Sequence, residues 1–158
     1  MRLVLRIASA QLMLAMIALI VMGSVTVTDV ILKYLFGRPI AGAYDVVESL
    51  LPVVIFNGLP ATLLRRQNIA IDLIDHFVGP ERTRILVICG DLTMAIVLVG
   101  IASAMLAPAL QAFDYGDRKL ELGLPLIVVW GGALLGMIGS VLAAAVVALN
   151  PPAKTGQA

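Results

Sequence analysis

The sequence predicts an all-α integral membrane protein: four transmembrane helices, with a short interfacial amphipathic helix between the second and the third. Three observations predict it. Of the 158 residues, 61% are hydrophobic and 13% charged, against about 25% charged in an ordinary soluble domain. A chain this short cannot hide that deficit in a core, so its expected solvent is lipid. The apolar residues also fall into four runs, at about 8–31, 45–64, 85–113 and 124–149. At about 1.5 Å per residue, each run can cross a hydrocarbon layer of roughly 30 Å. Finally, most of the charge gathers in the connectors. No internal repeat or low-complexity segment divides the chain, and one membrane domain over 1–158 is expected.

The first run follows Arg2 and Arg6 and is broken only by Gln11, a few hydroxyls and Asp29. Its length exceeds the roughly 7–15 apolar residues of a signal peptide. Gly23 and Ser24 offer a cleavage point, yet the length favours an uncleaved first span. Gly37, Pro39 and Gly42 mark the turn that follows, and Tyr34 and Phe36 suit the membrane interface. In the second run, Asp45 and Glu48 occupy the first turns, where carboxylates face the positive helix end. Pro52 and Pro60 fall inside the run. In lipid they kink a helix rather than end it.

Arg65 and Arg66 stop the second span. Between 69 and 78, helical spacing gathers Asp72, Asp75 and His76 on one arc and leaves apolar residues on the rest. That pattern predicts a helix lying along the membrane surface. Gly79-Pro80-Glu81 reads as a stop and a new start, since proline and glutamate suit a first helical turn. The third span is longer than a bilayer requires and is expected to tilt or project. Asp114 to Glu121 form a polar connector. The fourth span carries Trp130 near its start and ends at Asn150-Pro151-Pro152.

Counting lysine and arginine sets the orientation. Arg2, Arg6, Arg65, Arg66, Arg82, Arg84 and Lys154 lie on one side, against Lys33, Arg38, Arg118 and Lys119 on the other. Seven against four places both termini in the cytoplasm. The net charge of +1 gives no reason to expect nucleic acid. The lone cysteine, Cys89, excludes an internal disulfide and a cysteine-based zinc cluster.

Few residues carry candidate chemistry. Asp91 is the acid well inside a span, and such acids often mark ion paths. It lies seven residues beyond Arg84, within reach of a snorkelling guanidinium, so a structural pair or a partner contact is the competing reading. Asp29 and Lys33 stand i, i+4 and can pair across one turn. With Arg38, Asp45 and Glu48 they form a charged collar, read either as solvated helix ends or as a docking surface. His76 beside two acids reads as a residue facing headgroups and water rather than as a metal ligand. Gly132, Gly136, Ser140 and Ala144 recur every four residues on the fourth span. A stripe of this kind lets helix backbones approach closely, and the approaching helix can be one of the chain's own. No metalloprotease, serine-hydrolase or phosphate-loop motif is present. No catalytic, cofactor or metal site is therefore expected.

One stretch carries a resemblance. Asp29-Val30, Lys33-Tyr34, Phe36, Pro39-Ile40 and Glu48, followed by Arg65 and Asn68-Ile69-x-Ile71-Asp72, resemble the small membrane subunit of tripartite ATP-independent periplasmic (TRAP) transporters, the DctQ family. Pro80-x-Arg82-x-Arg84 and Leu122-Gly-Leu-Pro125 also look like family features. Lys33 stands where the family usually has arginine and Asn68 where it more often has histidine. A second proline before the fourth-span glycines is missing near Gly132. These departures leave subfamily and substrate open. The resemblance implies a scaffold and docking subunit in the bacterial inner membrane. Its partners would be a large multi-span permease subunit and a periplasmic solute-binding protein. Together they would import a small organic acid or related solute on a sodium or proton gradient. Two other readings compete: a self-contained homodimeric exporter with Asp91 as coupling acid, and an intramembrane enzyme, for which no reactive constellation is visible.

Overall fold

The computed structural model describes residues 2–65 and 80–150, with side chains from 3 to 65 and from 85 to 150. Four helices account for almost all of it: α1 (Arg2–Phe36), α2 (Ala43–Leu64), α3 (Pro80–Asp114) and α4 (Leu126–Leu149). All four are long and apolar enough to cross a membrane. Among the described residues there is no strand, only an isolated bridge between Arg118 and Pro125. The predicted interfacial helix at 69–78 lies outside the described residues, with Arg66, Asp72 and His76 on it or beside it.

α4 is the hub. Among the described residues it packs on α2, α3 and α1, whereas α3 packs on α4 alone, and α1 lies mainly along α2. The core gathers Leu63 of α2, Leu98 and Met105 of α3, and Ala133, Met137, Ala143 and Ala144 of α4. The α3 face of this core is a seam spaced seven, four and three residues apart: Leu98, Met105, Ala109 and Ala112 are buried. That spacing is one stripe of a helix. Pro52 and Pro60 sit inside α2 and Pro108 inside α3 without ending either helix.

Two helices run longer than their apolar runs suggested. α1 and α3 each have 35 residues, or about 50 Å at the usual rise. The Asp29 carboxylate accepts a hydrogen bond from the Ile40 N–H at 2.7 Å. That bond sets Asp29 level with the turn into α2, so the last two turns of α1 stand beyond the bundle end. Tyr34, Leu35 and Phe36 on those turns are exposed. α3 ends on glycine: the Asp117 N–H bonds the Ala112 carbonyl and the Gly116 N–H bonds the Phe113 carbonyl, with Gly116 at φ 62°. This is the six-to-one and five-to-two pairing by which a left-handed glycine closes a helix. The Leu126 N–H then reaches the Asp117 carbonyl, so α3 ends and α4 starts at one level and the two run antiparallel.

Candidate functional site

The side chains with the richest polar geometry gather where connectors 37–42 and 115–125 meet the start of α2. Asp45 is buried, and its Oδ2 accepts from the Glu121 N–H at 2.9 Å and the Leu122 N–H at 3.2 Å. The return bond comes from Glu121, whose Oε2 accepts from the Gly42 N–H at 2.6 Å. Lys119 Nζ meets Glu48 Oε2 at 2.7 Å. Connector 115–125 thus supplies backbone donors to the first acid of α2, connector 37–42 supplies one to Glu121, and the two connectors are tied as one clamp. Hydrogen bonds to ionised groups are the stronger class, and the exposed half of the ion pair adds about 1 kcal/mol or less.

Gly42 is the hinge of this clamp. Its φ of 82° is left-handed and its neighbour Leu122 lies where a Cβ would stand, at 2.9 Å. A side chain there meets both backbone strain and a clash. α2 carries no side-chain cap. Its first acid is turned to the other connector rather than to its own helix end.

The predicted collar therefore divides. Asp29 and Asp45 point inward at backbone N–H groups, Asp29 at Ile40 rather than at Lys33. Glu48 is half exposed against Lys119. Lys33 and Arg38 are exposed at the projecting end of α1. Lys119 and Glu121 complete the clamp, and sequence reasoning missed them. They lie more than seventy residues from Asp45 and Glu48, and no local spacing links them.

A second polar layer lies inside the bundle. Asn57 is fully buried, and its Nδ2 donates to the Val53 carbonyl at 2.9 Å and the Gly132 carbonyl at 3.0 Å. Ser140 Oγ bonds the Gly136 carbonyl at 3.0 Å and leans on the Phe56 carbonyl at 3.4 Å. The Gln11 Nε2 crosses from α1 to the Leu135 carbonyl of α4 at 2.7 Å. The small residues of α4 meet these groups directly. A Cβ on Gly136 would stand 2.5 Å from the Phe56 backbone, and one on Gly132 would stand 2.9 Å from Val53. Gly139 faces the Gln11 carboxamide. So the small-residue stripe is occupied by the chain's own α2, and Gly139 extends it toward α1. Gln11 and Asn57 are amides inside apolar spans, a signal for interhelical bonding, and Asn57 was passed over.

The remaining positions fall apart from these layers. Arg65 is exposed at the C-terminal cap of α2. Arg82 and Arg84 fall in the first turns of α3. Asp91 is half-buried, about 34 Å below the Asp114 end of α3 at the usual rise. α4, with 24 residues, spans about 36 Å from the same level. Asp91 therefore lies level with the end of α4 rather than at mid-bundle. Cys89 is exposed. Among the described residues, no three histidine, cysteine, aspartate or glutamate side chains gather as a metal site.

The family profile described as tripartite ATP-independent periplasmic transporters, DctQ component, matches residues 22–151. The chain belongs to the DctQ family. The match runs from the middle of α1 past the end of α4 and takes in the whole clamp. No curated protein and no solved structure matched the chain. Membership makes it a component of a transporter rather than of an enzyme family.

Proposed function

We propose that this chain is the non-catalytic scaffold subunit of a TRAP transporter. It holds a large multi-span permease subunit in the bacterial inner membrane and offers a docking end to a periplasmic solute-binding protein. The transported solute is a small organic acid or a related compound, and a sodium or proton gradient drives its import. Both termini face the cytoplasm, which puts the clamp and the projecting end of α1 on the periplasmic side.

One observation carries this reading. α3 leaves most of its length uncovered: of its described side chains, Leu98, Met105, Ala109 and Ala112 are buried, against eight residues on the shorter α4. A helix held by one neighbour offers a long face to a larger partner. The polar groups inside the bundle support the same division of labour. Asn57 and Ser140 are bound to carbonyls of α2 and α4, and they serve as helix contacts rather than as the lining of a path. Substrate and ion sites then belong to the large subunit.

Co-purification is the direct test. The chain, tagged at its C-terminus and extracted from native membranes in mild detergent, should bring down one much larger multi-span protein in equal amount. Recovery as a lone chain or a homodimer would favour the small-exporter reading and make Asp91 the next residue to replace. The docking end has its own test. Glu48→Lys should lower uptake, and adding Lys119→Glu restores the ion pair with reversed polarity. Uptake still low in the double variant supports docking at this end. Full recovery would mean that Glu48 serves only the clamp.

A further inference from the structure

Among the described residues, α2 and α3 both rest on α4 but do not pack on each other, and a cleft of about 390 Å³ opens between them. Its walls are Pro52 and Phe56 of α2, Met105 of α3, and Leu126, Val129, Trp130 and Ala133 of α4. Glu48 and Lys119 stand at its mouth. From Glu48 to Phe56 the cleft descends eight residues along α2, or about 12 Å. It therefore begins at the connector end of the bundle and runs inward beside the apolar spans.

We propose that this cleft is a binding site for one acyl chain of a zwitterionic phospholipid bearing a primary amine, drawn from the leaflet at the connector end. Three features select that occupant. The first is size. A partner helix is about 10 Å across and would fill this volume in roughly one turn, whereas a hydrocarbon chain lies along it lengthwise. The second is the lining. All the wall residues are apolar, and Trp130 has the amphipathic ring that favours headgroup level. The third is charge. The mouth presents one cation and one anion 2.7 Å apart, the Lys119 side chain 14% and the Glu48 side chain 49% exposed. A phosphate can approach the Lys119 ammonium while a primary ammonium donates to the Glu48 carboxylate. A trimethylated headgroup has no N–H to donate. An anionic headgroup without an amine would bring its charge against Glu48.

The site does not depend on the docking reading, and the test begins with this chain without any partner. The full chain is purified, exchanged into nanodiscs of mixed phosphatidylethanolamine and phosphatidylcholine, and released for native mass spectrometry. The expected result is one retained lipid per chain, with phosphatidylethanolamine preferred roughly tenfold. Val129→Trp, which fills the cleft, should abolish retention while circular dichroism shows the same helix content. Lys119→Gln should leave retention of a lipid but reduce the preference. Equal retention of both lipids by the wild-type chain overturns the proposal whatever the variants do. So does unchanged retention in a folded Val129→Trp chain. Loss of the lipid when a co-purified large subunit is added back would also overturn it, by showing that a protein segment fills the cleft.

Discussion

Over their most apolar 18-residue stretches, α3 and α4 have nearly the same mean hydropathy, 2.5 and 2.3, yet 6% of the residues in one stretch and 44% in the other are buried. In water such a pair would compete for the core on equal terms. In lipid, hydropathy does not choose the inside, because tails are as apolar as leucine; close packing and interhelical hydrogen bonds choose it. Both helices contain glycine, so small residues alone do not decide either. On α4, Gly132, Gly136 and Gly139 each meet another helix, whereas Gly90 and Gly100 of α3 meet nothing within 4 Å. What distinguishes α4 is that its close approaches coincide with polar partners: Asn57 at the Gly132 carbonyl, Ser140 beside Phe56, and Gln11 at the Leu135 carbonyl.

The contrast breaks most sharply at Gly136. Gly136→Val drives a branched side chain into the Phe56–Asn57 backbone, which cannot give way as a side-chain tip would. The expected cost is about 3 kcal/mol or more, read as a fall in thermal midpoint and loss of monodisperse material on gel filtration. Next comes the clamp. Gly42→Ala combines a left-handed backbone with a clash at Leu122 and should cost about 1–2 kcal/mol. Hydrogen exchange is the check, since the Glu121 and Leu122 amides should lose protection while α4 keeps its own. Asn57→Leu removes the bond between α2 and α4 and should cost about 1 kcal/mol, measured by reversible unfolding in mixed micelles. The smallest effect belongs to α3. Gly100→Val should change the stability of the isolated chain by about 0.5 kcal/mol or less. A large loss there would show that α3 is held by more than α4.

The helices themselves were legible because lipid imposes length and composition on anything that crosses it. The ends were less so. α1 continues through Asp29, Lys33 and on to Phe36, past the end of its apolar run. A helix that leaves the bundle keeps its backbone bonds without needing apolar side chains. Asp45 and Glu48 were recognisable as acids at a helix start, and Gly132, Gly136 and Ser140 as a packing stripe. The partners of the acids were not. Glu121 and Lys119 meet Asp45 and Glu48 only because α3 and α4 return the chain to the level of its second helix, and one sequence contains no signal for that return. Asp91 shows the same limit from the other side. Its place in an apolar run says that it sits inside a span, while its level against α4 follows from where α3 ends, which the run alone does not give.

The central claim is that the open face of α3 is made for a larger membrane partner. Photo-crosslinking in native membranes tests it most directly, with a reactive residue placed in turn at exposed Ile96 and Val99 on α3 and, as control, at exposed Leu19 on α1. The account predicts adducts from Ile96 or Val99 to one large multi-span protein. Adducts from both α3 positions that contain only lipid, or only a second copy of this chain, would contradict it.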